Sequence, residues 1–210
     1  MRCSVLSPLY YFTRKATVCL HPFISTYADR TTISMVIFLE NMEKAIFIIN
    51  GTGGAGKDTV CNMAAAICST RNISSITPIV EIARFAGWDG VKTREARRLL
   101  SRLKEIFTEY NDLSFRYCMQ QVREFLAGEE QLMFIHVREP EEIERLKNAI
   151  GSHCHTLLVR RIGVSNIPVG NRSDDAVEDY HYDAVIENNS SLEDLQVQVE
   201  KFLRKFVNQP

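Results

Sequence analysis

From residue 44 onward the chain alternates between two hydrophobic patterns. The first is the short, unbroken apolar run. Residues 45–49 (Ala-Ile-Phe-Ile-Ile), 132–135 (Leu-Met-Phe-Ile) and 156–159 (Thr-Leu-Leu-Val) contain almost no polar position. Such runs read as strands covered on both faces, as in a parallel sheet. Residues 73–77 and 182–186 are less apolar and complete a predicted set of five strands. The second pattern repeats at helical spacing. Residues 57–69 place Val60, Met63, Ala64 and Ile67 on one stripe. In residues 93–110 the repeating set is Leu99, Leu100, Leu103, Ile106, Phe107 and Tyr110.

Punctuation residues sharpen these boundaries. Pro78 suits the first turn of a short helix through Ala86, and Gly87 suits its left-handed end. Asn111-Asp112 breaks the long helix and offers a cap for a second, 113–127, ended by Gly128. Pro140 opens a helix that stops at Gly151, and Ser190 with Glu193 forms a capping box for a last helix ending near Val207. Residues 163–179 are polar and rich in loop formers. Strands alternating with helices predict an α/β fold, a doubly wound five-stranded parallel sheet.

Residues 1–41 follow neither pattern. They carry Arg2, Arg14, Lys15 and Arg30 against Asp29 and Glu40, with many Ser, Thr, Tyr and Phe. Arg14 and Lys15 interrupt any secretory apolar core. The segment is expected to be an unstructured extension or an upstream mis-start before Met42, and its composition weakly resembles a transit peptide. The domain proper is then 42–210.

Composition narrows the classes further. Of 210 residues, 45% are hydrophobic and 24% charged, which excludes wholesale disorder. The formal charge is −1, so no global positive field exists to hold nucleic acid or an anionic membrane, and neither is expected as a partner. The run 35–39 is far shorter than the ~20 residues of a membrane span. Cys3, Cys19, Cys61, Cys68, Cys118 and Cys154 form no C-x-x-C pair, which points to reduced thiols and a cytoplasmic location. In His153-Cys154-His155, strand alternation sends the cysteine to the face opposite the histidines, against a metal site.

The sharpest chemical signal is Gly51-Thr52-Gly53-Gly54-Ala55-Gly56-Lys57-Asp58-Thr59. It matches G-x-x-x-x-G-K and falls between a buried strand and a helix start, where a phosphate cradle must be. Glycines permit the tight turn, loop N–H groups and the helix terminus hold phosphate oxygens, and Lys57 adds a full charge. Gly51, Gly53, Gly54, Ala55, Gly56, Lys57, Asp58 and Thr59 are therefore the candidate ATP-binding residues. Where the usual motif has Ser or Thr to ligate Mg²⁺, this chain has Asp58, then Thr59. Both are candidate Mg²⁺ ligands. Arg138 follows a strand directly, at the sheet edge where ligands of open parallel sheets bind, and is a candidate for the acceptor phosphate. His136 reads as a satisfied core histidine, and Trp88 as either a core plug or a wall of the acceptor site. Most of Arg94, Arg97, Arg98, Arg102 and Lys104 read as the polar face of their helix.

The Gly-Lys-Asp-Thr ending resembles the deoxynucleoside monophosphate kinase-like family of P-loop kinases. Softer similarities are Gly87-Trp88-Asp89-Gly90, Arg138-Glu139-Pro140-Glu141-Glu142, Asn171-Arg172-Ser173-Asp174 and the tail 183–189. The resemblance covers about 44–207. It implies the nucleoside monophosphate kinase fold, with a helical acceptor-binding insertion at about 88–128 and a lid at about 162–179. It also implies ATP and Mg²⁺ as cofactors, and γ-phosphoryl transfer to a small phosphorylated acceptor, a nucleoside or deoxynucleoside monophosphate. In that family lid arginines cover the transferring group, which assigns a catalytic role to Arg160, Arg161 and Arg172 beside Lys57 and Arg138. The strand 132–137 lacks the terminal Asp of a Walker-B metal ligand. Two other readings therefore stand: a kinase of another phosphorylated metabolite such as dephospho-coenzyme A or phosphomevalonate, and a P-loop ATP-binding module or slow ATPase acting through a partner.

Overall fold

The computed structural model describes residues 43–163 and 177–207, which belong to the second of two units in the chain, Met42–Pro210. The segment 1–41, Cys3, Cys19, Arg172 and most of the expected lid lie outside the described residues.

Five strands form one parallel sheet. They are β1 (Ala45–Asn50), β2 (Thr70–Ser74), β3 (Leu132–His136), β4 (Cys154–Arg160) and β5 (Ala184–Glu187), in the order β2-β3-β1-β4-β5. The register pairs Ile49 with His136 on one side of β1 and with Leu157 on the other. β1 is thus flanked on both sides, and its six residues are all buried. The chain places β2 and β3 on one side of β1 and β4 and β5 on the other, so the order switches beside β1, and in doubly wound folds a crevice opens beyond the carboxyl strand ends at such a point. The connecting helices are α1 (Lys57–Ala65), α2 (Thr77–Phe85), α3 (Arg94–Asn111), α4 (Leu113–Ala127), α5 (Pro140–Ile150) and α6 (Leu192–Val207).

Alternation along the strands feeds two cores. Ile46, Ile48, Met133, Ile135, Cys154 and Leu158 pack with Cys118, Val122 and Phe125 of α4 and Ile143 and Leu146 of α5. On the opposite face Phe47 lies 4.6 Å from Phe202 and 5.7 Å from His155, ring centre to ring centre. Cys154 and His155 therefore do face opposite ways. A satellite core joins Ile79, Ala83 and Leu100, with Trp88, Leu103 and Phe107 packed against it. The described cysteines are free and buried, and burial pushes Cys61, Cys118 and Cys154 up to about 12.

Several boundaries differ from expectation, α1 among them, which ends at Ala65 rather than Ser69. β2 lies at Thr70–Ser74, ahead of the expected 73–77. It is an edge strand with no fully buried residue, so no apolar run marks it. Asp112 breaks the α3–α4 hairpin at φ 57° but does not cap α4 with its side chain. Instead both carboxylate oxygens accept from Arg145, whose guanidinium lies over the Phe115 ring at 3.9 Å. The last helix is capped one residue later than expected: Ser191 Oγ accepts from the Asp194 N–H at 3.1 Å.

Candidate functional site

The glycine-rich loop leaves β1 at the crevice. Gly51 has φ 150°, and a Cβ there would meet the Val159 carbonyl oxygen at 2.3 Å. The loop can lie this close to β4 only because the residue is glycine. Gly56, at φ 98° and ψ 22°, ends the loop and caps α1. The first backbone N–H groups of a helix have no intrahelical partner, so this terminus suits an anion. Lys57 Nζ donates to the Gly51 carbonyl at 2.5 Å and the Thr52 carbonyl at 3.0 Å, which holds the ammonium against the loop.

A cavity of about 370 Å³ opens beside the loop, lined by Gly54, Gly56, Lys57, Asp58, Thr59, Arg161, Asn188, Ser190 and Leu192. One wall is thus the phosphate loop and the start of α1. The other is the turn between β5 and α6, with Arg161 from the end of β4. Asn188 ties the walls together: its Nδ2 donates to the Ala55 carbonyl at 2.9 Å, and its N–H to the Arg160 carbonyl at 2.8 Å. Asn189 Oδ1 accepts from the Ile162 N–H at 2.7 Å. Asn188 lies in the tail 183–189 that carries part of the family resemblance, but the sequence assigned it no role.

The two expected arginines at the β4 end part company. Arg161 borders the cavity. Arg160 does not line it; Nε donates to both oxygens of Glu178 at 3.0 and 3.1 Å, and Nη1 to Glu187 at 2.9 Å. These carboxylates raise the Arg160 guanidinium further above its ordinary value. Arg138 stands exposed just past β3, and its neighbour Glu139 pairs with Lys104 at 2.6 Å. Lys104 thus turns inward, while Arg94, Arg97, Arg98 and Arg102 lie exposed on α3 as its polar face.

His136 closes β3 near these charges. Burial lowers its imidazole; Lys57 and Arg138 push the same way, and Asp58 opposes them. Its Nε2 lies 2.8 Å from Asn72 Oδ1 and 3.7 Å from Cys61 Sγ. Cysteine, histidine and asparagine here do not form a nucleophilic triad, because both partners meet the same ring nitrogen and the thiol is held protonated by burial. Trp88 plugs the turn after α2: its Nε1 donates to the Val91 carbonyl at 3.0 Å.

Asp58 and Thr59 both line the cavity and offer hard oxygen donors, which suit Mg²⁺. Among the described residues no cluster of three His, Cys, Asp or Glu forms a ready-made metal cage. No helix among the described residues is long and apolar enough to cross a membrane.

No protein-family model and no curated protein matches the chain. Among solved structures, one similar in fold is TT1252 from Thermus thermophilus. It is 20% identical over 78% of this chain and 98% of that one, with a TM-score of 0.47. Another is a dephospho-CoA kinase from Campylobacter jejuni, 14% identical over 79% of this chain and 99% of that one, with a TM-score of 0.45.

Proposed function

We propose that this protein is an ATP-dependent kinase of a small phosphorylated acceptor, specifically a nucleoside or deoxynucleoside monophosphate. The observation that carries the reading is the cavity wall formed by Gly54, Gly56, Lys57, Asp58 and Thr59 at the end of a buried central strand. This arrangement supports polyphosphate binding by loop amides and one lysine. A triphosphate in the cradle would exchange the two loop carbonyls now bound by Lys57 for phosphate oxygens. Asn188, Ser190, Leu192 and Arg161 then border the space left for the nucleoside. Asp58 and Thr59 would hold Mg²⁺, directly or through water. When bound, the ion neutralises charge on the β- and γ-phosphates.

Transfer needs little covalent work from the protein. An acceptor phosphate oxygen forms a bond to the γ-phosphorus while the bond to the β–γ bridging oxygen breaks and ADP leaves. One phosphoanhydride is exchanged for another. Lys57 stabilises charge on the transferring group, Arg138 orients the acceptor phosphate, and Arg161, with Arg172, supplies further positive charge. Arg160 acts from one step further out, by holding Glu178 and Glu187 at the end of the sheet.

One observation favours a second reading, a P-loop ATP-binding module or slow ATPase. β3 ends at His136 and Val137-Arg138 follow it, with no carboxylate where a Walker-B ligand would stand. The experiment is ADP release from Mg-ATP across a panel of nucleoside and deoxynucleoside monophosphates, then dephospho-coenzyme A and phosphomevalonate. Turnover should appear with one monophosphate and fall on the order of 100-fold or more in Lys57→Ala. Slow release that ignores every acceptor would overturn the kinase reading in favour of the module.

A further inference from the structure

Asn50 closes β1 and is completely buried, the one polar residue in that strand. Its carboxamide is fully used. Oδ1 accepts from the Gly51 N–H at 2.8 Å, at the opening of the phosphate loop. Nδ2 donates to the Arg138 carbonyl at 3.1 Å and to the Tyr182 hydroxyl at 2.8 Å. Tyr182, itself buried, passes its own proton to the Val177 carbonyl at 2.9 Å. Burial pushes the Tyr182 phenol up to about 12, so it remains a neutral donor. A single amide thus joins three chain segments 88 and 132 residues apart in sequence. These are the start of the ATP cradle, the strand end that carries Arg138, and the stretch leading into β5.

We propose that Asn50 is a positioning residue that sets Gly51 and Arg138 in one arrangement before any ligand arrives. The physical reason is the cost of leaving buried polar groups unpaired. With Asn50 in place, the Gly51 amide and the Arg138 carbonyl each have one low-energy orientation. Without it, both lose this hydrogen bond at the same point, and the loop opening and the Arg138 backbone are less firmly tied to each other. A strand covered on both faces of a parallel sheet calls for apolar residues, so sheet packing alone does not call for asparagine here. The ligand arm of this inference rests on the proposed ATP site; its loop arm does not.

The test uses the full chain and three variants: Asn50→Ala, Tyr182→Phe, and Ile143→Val as a core control of modest stability loss, in the same apolar cluster as Tyr182 but outside the hydrogen-bond network of Asn50. Two quantities are read well below the melting temperature. Amide exchange at Gly51, without ligand, should be about tenfold faster in Asn50→Ala, faster by a smaller factor in Tyr182→Phe, and unchanged in Ile143→Val. Mg-ADP affinity by calorimetry should fall about tenfold in Asn50→Ala and stay within twofold in Ile143→Val. A folded Asn50→Ala with wild-type exchange at Gly51 overturns the proposal. So does an affinity loss in Ile143→Val equal to that in Asn50→Ala, because both would then report stability alone. If the wild-type chain binds no Mg-ADP, the kinase reading fails, and Gly51 exchange alone decides the role of Asn50. If Asn50→Ala does not fold, Tyr182→Phe carries both measurements, and wild-type values there overturn the proposal.

Discussion

Replacing Gly56 by alanine isolates what the loop geometry demands. Gly56 sits at φ 98°, where an L side chain is strained by about 1 kcal/mol or somewhat more. The added Cβ would lie 2.3 Å from Asn188 Nδ2, so the side chain that binds the Ala55 carbonyl has to leave. A lost hydrogen bond of this kind is worth about 1 kcal/mol. Together the two effects give about 2–3 kcal/mol. At ~2–4 °C per kcal/mol for a domain of this size, the melting temperature should drop by roughly 4–12 °C. Gly53→Ala is the matched comparison, since its Cβ would meet nothing within 4 Å and its φ lies outside the left-handed region. It should melt within ~2 °C of wild type. Thermal unfolding followed by circular dichroism, with Mg-ADP binding measured in parallel, separates the effects. Both variants alter the cradle and both should bind less well, but only Gly56→Ala should lose stability. Equal melting temperatures for the two variants would refute the clamp by Asn188.

The remaining predictions concern charges. Arg161→Ala should lower turnover by on the order of tenfold or more, and Arg160→Ala by clearly less, because only Arg161 borders the cavity. The reverse ranking in steady-state kinetics would return Arg160 to a direct role. Asp183 carries a pH-dependent contribution to stability. Burial raises its carboxyl, but Lys147 and the Thr156 N–H and hydroxyl outweigh that, and it ends below its ordinary value. A depressed carboxyl stabilises the fold above the unfolded value of ~3.9, and this stabilisation is lost as pH falls through the lower folded value. Urea midpoints should therefore separate wild type from Asp183→Asn at pH 7 and converge towards pH 3. A gap that stays constant would count against the pair.

What could be seen in the sequence was local. The buried strand, the glycine loop and α1 are contiguous, and each is specified by its own residues: Phe47 and Ile48 by their apolarity, Gly56 by its conformation. The central strands β1, β3 and β4 showed as apolar runs because both of their faces are covered. Edge strands did not. β2 holds Arg71, which faces Glu130 at 2.8 Å, and its residues answer to ion pairs rather than to a core. β5 begins two residues past its expected start, because Tyr182 and Asp183 look like strand residues yet serve as hydrogen-bond anchors. Arg160 was legible as a cation at a strand end, but the carboxylates that occupy it lie 18 and 27 residues away. No spacing rule links such positions.

The site is accordingly coded on two scales. On the function proposed above, Gly51 to Thr59 would bind phosphate within nine consecutive residues. The placement of that loop depends on residues far along the chain. Asn188 holds Ala55 from 133 residues away, and Tyr182 holds Asn50 from 132. Both arrive with the β5 region, after most of the sheet is in place in sequence order. A chain truncated before Tyr182 would keep the motif and lose both ties, together with α6, whose Phe202 covers Phe47. The motif alone therefore marks the proposed phosphate site. The asparagines at the two strand ends determine whether the cradle is already formed when phosphate arrives, and preformed geometry is what electrostatic catalysis of phosphoryl transfer requires.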